Sequence, residues 1–264
     1  MLRWFDTHCH LDMMPAELRL EDVMERARAA GIRKIVVPGV RGMPGNIAAL
    51  ANFAEVLPAW GIHPDFISAT SADTADMKPW NNVGCEPVAI GECGLDRRST
   101  VSLPRQTEIF LWHLQLARKH VLPLIVHLVG HYQQAFEMLV EACPLRPWVM
   151  HSWSGSAEMA ARFVERGAFI SLSGGSLRNK LKLEKLLAKV PVSSLLVESD
   201  APDMCPPFWH GKYNEPVVVA AIGREIANIL GMDIEKFAKI LYTNSLKIFY
   251  TPERNLNGQQ ISSH

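Results

Sequence analysis

The chain has 264 residues, of which 48% are hydrophobic and 20% charged, and its 27 Lys plus Arg balance 27 Asp plus Glu. That is the size and composition of one large folded domain, and it excludes a disordered or low-complexity chain. A formal net charge of zero removes the basic excess by which many nucleic-acid binders hold a polyanion, and leaves room for an enzyme that grips a nucleic-acid end by local contacts.

The pattern along the chain alternates short β-rich runs with longer helical ones. Arg3 to Thr7 reads as a strand, Ala16 to Ala30 as a helix stopped by Gly31, and Lys34 to Pro38 and Ala59 to Ile62 as strands. Residues 68 to 82 are weakly patterned. Val88 to Glu92 is the fourth strand, followed by a long amphipathic helix, Pro104 to His120, whose proline suits a first helical turn. Strands Leu124 to His127, Trp148 to His151, Phe169 to Ser173 and Leu195 to Ser199 then alternate with helices His131 to Ala142, Ser156 to Arg166 and Asn179 to Lys189. Helices Pro216 to Leu230 and Asp233 to Phe249 close the pattern. Several strands are too apolar to have a wet face, as buried parallel strands are. Eight such units in this length predict an α/β fold, a (β/α)8 TIM barrel over residues 1–250, with a polar C-terminal tail at 251–264. No G-x-G-x-x-G or Walker segment supports an open nucleotide-binding sheet.

The five cysteines are odd in number and form no C-x-x-C, which argues against a disulfide framework or an all-cysteine zinc site. The opening M-L-R-W-F-D-T-H-C-H has no signal-peptide core, and no apolar run approaches the roughly 20 residues of a membrane helix. These features point to a reducing, cytoplasmic compartment with no membrane partner.

In a barrel, function belongs at the C-terminal ends of the strands. The first run leads into His8-Cys9-His10, where alternation puts the two imidazoles on one face and Cys9 on the other; they read as a metal grip or as two surface histidines. Glu92 is a carboxylate at the lip of the apolar run Val88-Ala89-Ile90, so it needs a cation: a metal or an arginine. His63 follows the third strand. His127 and His151 end apolar runs, and each alone also fits a satisfied core histidine. Glu198 and Asp200 share a face after the eighth strand. Gathered in one mouth, so many ionisable groups demand a cation, and imidazole with carboxylate suits zinc, manganese, nickel, iron or magnesium.

At D-T-H-C-H-L-D (6–12), G-I-H-P (61–64), G-E-C-G-L-D (91–96), P-L-I-V-H (123–127), H-S-W-S-G (151–155) and E-S-D-A-P (198–202), with N-E-P (214–216) and T-N (243–244) as softer matches, the sequence resembles the TatD family of metal-dependent hydrolases, within the amidohydrolase-like superfamily of barrels. The resemblance runs in order through nearly the whole chain. It implies two divalent ions: one on His8, His10, Glu92 and Asp200, the other on Glu92, His127 and His151, with Glu92 bridging. It implies phosphodiester hydrolysis, commonly a 3′ to 5′ DNase acting on DNA or an oligonucleotide, by a monomer or weak oligomer. Asp200 is then the candidate general base, His63 a phosphate contact or leaving-group acid, and Asp96 and Glu198 further residues of the site. Three departures bear on substrate: Val129 stands where such proteins commonly carry an arginine, Arg97-Arg98 where an aromatic is common, and Trp153 in place of phenylalanine. His131, Arg97 or Arg98 would compensate the lost charge, unless the arginines belong to a solvated loop. Trp209-His210 reads either as a base-stacking pair over the mouth or as plain loop packing. Two other functions compete: hydrolysis of a small phosphoester, ester or amide on the same metals, and a non-catalytic, metal-stabilised subunit.

Overall fold

The computed structural model describes residues 2–68, 79–81 and 84–250. The weakly patterned stretch lies largely outside the described residues, and the tail at 251–264 lies wholly outside them. The eight barrel strands are β1 (Trp4–Asp6), β2 (Ile32–Pro38), β3 (Val56–Ala59), β4 (Ile90–Asp96), β5 (Leu124–Val129), β6 (Trp148–Met150), β7 (Phe169–Leu172) and β8 (Leu195–Val197). The ladders β1-β2-β3 and β4-β5-β6-β7-β8 are parallel throughout. Two seams join them into a ring. Between β3 and β4, Val88 N–H donates to Pro58 O (2.8 Å), Trp60 N–H to Ala89 O (3.1 Å) and Gly91 N–H to Trp60 O (2.6 Å). Between β8 and β1, Thr7 N–H donates to Val197 O (3.2 Å) and Asp200 N–H to His8 O (2.9 Å).

Period-2 alternation sorts the strand side chains into two layers. Phe5, Val36, Ala59, Ala89, Ile125, Val149 and Leu196, with partly buried Phe169, form one mutually packed cluster, one residue from each strand or its edge. This layer fills the barrel interior, and Ile248 and Phe249 pack against it. Their neighbours, including Trp4, Ile35, Val37, Leu124, Val126, Trp148, Met150, Leu195 and Val197, pack outward into the larger core with the helices.

The helices are α1 (Leu20–Ala29), α2 (Leu103–His120), α3 (Tyr132–Ala142), α4 (Ala157–Glu165), α5 (Lys180–Lys189), α6 (Val218–Leu230) and α7 (Ile234–Phe249), with a single turn at Ile47–Leu50. Side-chain caps start three of them: Ser156 Oγ accepts from Met159 N, Asn179 Oδ1 from Lys182 N and Asp233 Oδ1 from Lys236 N. Gly31, expected as a helix stop, has positive φ, as do Gly167 and Gly231 just after the ends of α4 and α6. The first helix begins four residues later than its pattern, because Pro15 to Leu18 closes a turn instead.

Three strand assignments need correction. The third strand is Val56–Ala59, through Pro58; Gly61–Ile62 instead pairs antiparallel with Arg41–Gly42. Proline is tolerated because β3 borders an incomplete ladder, where its missing N–H forfeits no bond. The fourth strand begins at Ile90 and runs on to Asp96, so Glu92 lies inside it and not at its end; β5 likewise continues two residues past His127. Among the described residues no helix is long and apolar enough to cross a membrane.

Candidate metal centre

The inward column that carries the apolar layer changes character two residues further along. After Ile125, Val149 and Leu196, the next inward positions are His127, His151 and Glu198. β4 reaches the same place by a different route. Its register against β5 gains one residue between Ile90 and Cys93, a β-bulge. Ile90, Cys93 and Leu95 all face the helix-side core, so the extra residue turns Glu92 into the barrel. Gly91 and Gly94 permit this: their φ angles are +149° and +148°, and a Cβ would meet Ile125 O at 2.5 Å and His127 O at 2.0 Å. β1 ends at Asp6, earlier than expected, yet His8 and His10 do turn together while Cys9 packs into the opposite core. The turn is held by Asp6, whose Oδ1 accepts from the N–H groups of His8 (3.2 Å) and Ser199 (2.9 Å); burial pushes its carboxyl up to about 8.

Glu92 is 2% exposed, and its two oxygens face different histidines. Oε2 lies 3.3 Å from His8 Nε2 and 3.4 Å from His10 Nε2, which are 3.2 Å apart. Oε1 lies 2.8 Å from both His127 Nδ1 and His151 Nε2, which are 3.0 Å apart. Asp200 Oδ1 stands 3.8 Å from His8 Nε2, and its backbone is held in the left-handed region at φ +54°. An ion bonded to nitrogen and oxygen at about 2.0–2.2 Å spreads its ligands to about 3–3.5 Å from one another. Each triangle of donors therefore fits one divalent cation, with Glu92 common to both. Two further groups of donor atoms lie close enough to hold an ion and overlap these: His8 with His151 and Glu198, and His63 with Glu92 and His127.

The surroundings fix which nitrogen each ring offers. His127 Nε2 lies 2.9 Å from Asp96 Oδ2, and Arg98 Nη2 holds the same oxygen at 2.8 Å. The arginine pairs with the site's carboxylate from an exposed loop, its own side chain 63% exposed. Burial alone would raise Asp96, but His127 and Arg98 outweigh it and hold it below the usual carboxylate range. Glu198 is fully buried; its Oε1 accepts from Ser152 N–H (2.6 Å) and stands 3.4 Å from His151 Nδ1. It meets the site at His151 and lies close to His8. His63 Nε2 is 3.7 Å from Glu92 Oε1, while His63 Nδ1 accepts from Asp65 N–H (3.1 Å).

The electrostatics favour positive charge. Burial would raise Glu92, yet His151, His8 and His63 hold it well below its ordinary value. Burial would lower His151, yet Glu92 and Glu198 lift it well above its ordinary value. His10 and His127 are raised in the same way by Glu92, His127 with Asp96 as well. Burial dominates for His8 and for His63, which falls to about 4.

Some contributors carry no sequence signal of chemistry. His113, a buried helix residue, accepts from Ile62 N–H (3.0 Å) through Nε2 and uses Nδ1 on Ile109 O (2.7 Å), fixing the segment before His63. Asn214 Nδ2 holds Ser199 O (2.8 Å) and Asp203 O, bracing the Asp200 turn. The softer N-E-P match was the one hint of it. His210 is exposed, and Trp209 donates its indole N–H to Tyr213 O (2.6 Å), which is loop packing.

Comparison with known proteins identifies the family and the fold. The family model for TatD-related DNases matches residues 5–250. An uncharacterized metal-dependent hydrolase of Bacillus subtilis, YabD, is 33% identical, with 93% of this chain and 98% of that one covered. A protein named 3′-5′ ssDNA/RNA exonuclease TatD, from Pantoea ananatis, is 30% identical, covering 87% and 92%. The crystal structure of the Escherichia coli TatD homologue YjjV superposes with a TM-score of 0.85 at 31% identity, covering 95% of this chain and 99% of that one.

Proposed function

The chain belongs to the family of TatD-related DNases and is a metal-dependent hydrolase; from that premise we propose that it cleaves phosphodiester bonds, removing nucleotides from the 3′ end of single-stranded nucleic acid. The observation that carries this reading is the division of Glu92, one oxygen to His8 and His10 and the other to His127 and His151. A shared carboxylate holds two cation sites close together, an arrangement that suits in-line displacement at phosphorus. His8, His10, Glu92 and Asp200 would hold one ion, and Glu92, His127 and His151 the other; zinc, manganese, magnesium and nickel all suit these donors. When bound, two such ions polarise phosphoryl oxygens and lower the pKa of a water between them.

The protein's own groups do the rest. Asp200, poised at His8 by its strained backbone, takes the proton of the attacking water at Oδ1. Asp96 and Glu198 hold His127 and His151 with the correct nitrogen forward. His63 accepts a hydrogen bond at Nδ1, so its proton is on Nε2. A neutral imidazole N–H donates a hydrogen bond and gives up its proton reluctantly, so His63 contacts a phosphate oxygen instead of acting as the leaving-group acid.

The test is a 5′-labelled single strand incubated with metal-loaded protein. A ladder shortening from the 3′ end is expected, with Asp200→Asn slowing it by about 100-fold or more. Val129 and the zero net charge favour one other reading, a small phosphoester or ester substrate. Metal-loaded protein that turns over such a compound and no nucleic acid overturns the nuclease proposal in its favour.

A further inference from the structure

A cavity of about 350 Å³ opens beside the metal centre, between the segment after β6, the turn after β7 and the first turns of α5. The two sites share a wall. Ser152 follows His151 directly, its N–H is bonded to Glu198, and its Oγ lies 2.9 Å from Ser173 Oγ across the cavity's floor. The volume falls within the range of about 300–1,000 Å³ typical of small-molecule sites.

The lining has two halves. One is apolar: Trp153, Leu183, Leu186 and Met204. Trp153 is 6% exposed and held in place against Phe163 and Tyr132, yet its indole N–H has no hydrogen-bond partner among the described residues. The other half is cationic. Arg178 Nη2 donates to Cys205 O (3.2 Å) and Lys182 Nζ to Ser154 O, both neutral carbonyls. No carboxylate lines the cavity, and among the described residues neither cation is ion-paired. Two positive charges without a carboxylate partner, in a cavity lined otherwise by apolar side chains and hydroxyls, fit an anion joined to a flat ring.

We propose that this cavity binds the nucleotide neighbouring the scissile bond, with its phosphate on Arg178 and Lys182 and its base against Trp153, Leu186 and Met204. The assignment rests on the nuclease reading above for its substrate class. It also accounts for Val129: the phosphate-binding charge that resembling proteins place after the fifth strand comes here from the turn and helix that follow the seventh.

Two measurements test this. The first is binding without metal. Chelator-stripped full-length protein is titrated calorimetrically with deoxyadenosine 5′-monophosphate and with deoxyadenosine. The nucleotide should bind at least about tenfold more tightly than the nucleoside, and the double variant Arg178→Ala/Lys182→Ala should erase that difference. Equal affinities for the two ligands, or a variant that binds the nucleotide as wild type does, overturn the proposal. The second is selectivity of the metal-loaded enzyme, as the ratio of kcat/KM for a four-residue oligothymidylate to that for bis(4-nitrophenyl) phosphate, which has no neighbouring nucleotide. The double variant should lower this ratio at least about tenfold. An unchanged ratio overturns the pocket assignment while leaving the nuclease reading intact. Tight nucleotide binding in a protein that cleaves no phosphodiester overturns the nuclease reading and leaves the pocket.

Discussion

Burial decides what a histidine in this protein can do. His113 is wholly buried and both its nitrogens are used, Nε2 as acceptor and Nδ1 on a carbonyl, a pairing that exists only for the neutral ring. Burial lowers its pKa from 6.5 to about 4. The unfolded chain therefore takes up a proton below pH 6.5 that the fold refuses until about pH 4. Stability from this group is complete above pH 6.5 and is lost as pH falls through that window. Between pH 8 and pH 5 the loss is on the order of 2 kcal/mol. Other groups titrate over the same range, so the test is a difference: in urea unfolding at the two pH values, wild type should lose about 2 kcal/mol more than His113→Gln; parallel slopes would remove His113 from the account. Such residues explain what a sequence reader can and cannot find. His127, His151 and Glu92 stand out because each interrupts or ends an apolar run. His113 sits at ordinary helical spacing, and Arg98 is exposed, so nothing in the chain marks its pairing with Asp96.

At the level of elements, the bulge in β4 is the least legible feature and the most consequential. Strict alternation from inward Ala89 would point Glu92 at the helices; the extra residue reverses it. Only the two glycines flanking Glu92 hint at this in the sequence. Strands with plain apolar runs and helices with proline or glycine punctuation were readable to within a few residues, whereas β3 was displaced because Pro58 disguises it. The bulge predicts unequal costs for similar substitutions. Gly94→Ala would press a Cβ to 2.0 Å from His127 O at φ +148°, while Gly167→Ala at φ +92° meets nothing within 4 Å. Gly94→Ala should cost about 2 kcal/mol or more and loosen metal binding, and Gly167→Ala about 1 kcal/mol with metal content retained. Denaturant unfolding with metal analysis on the same samples checks both, and equal losses would mean that β4 has no such close approach.

The whole barrel exists, in functional terms, to bring together side chains separated by up to 192 positions, from His8 to Asp200. Closure at the two seams makes β1 and β8 neighbours, so His8 and His10 meet Asp200, while β4, β5 and β6 deliver Glu92, His127 and His151 from the other side. The eightfold strand–helix alternation made that convergence readable from the chain; the way one carboxylate is divided between two sets of histidines was not, because it depends on the rotation of a single side chain. Metal content per chain is the most direct test of it. Purified wild-type protein should carry about two divalent ions, and His127→Ala about one. Glu92→Ala, which removes a ligand from both sets, should lose both. A Glu92→Ala protein that is folded and keeps the wild-type metal content would contradict the shared-carboxylate centre.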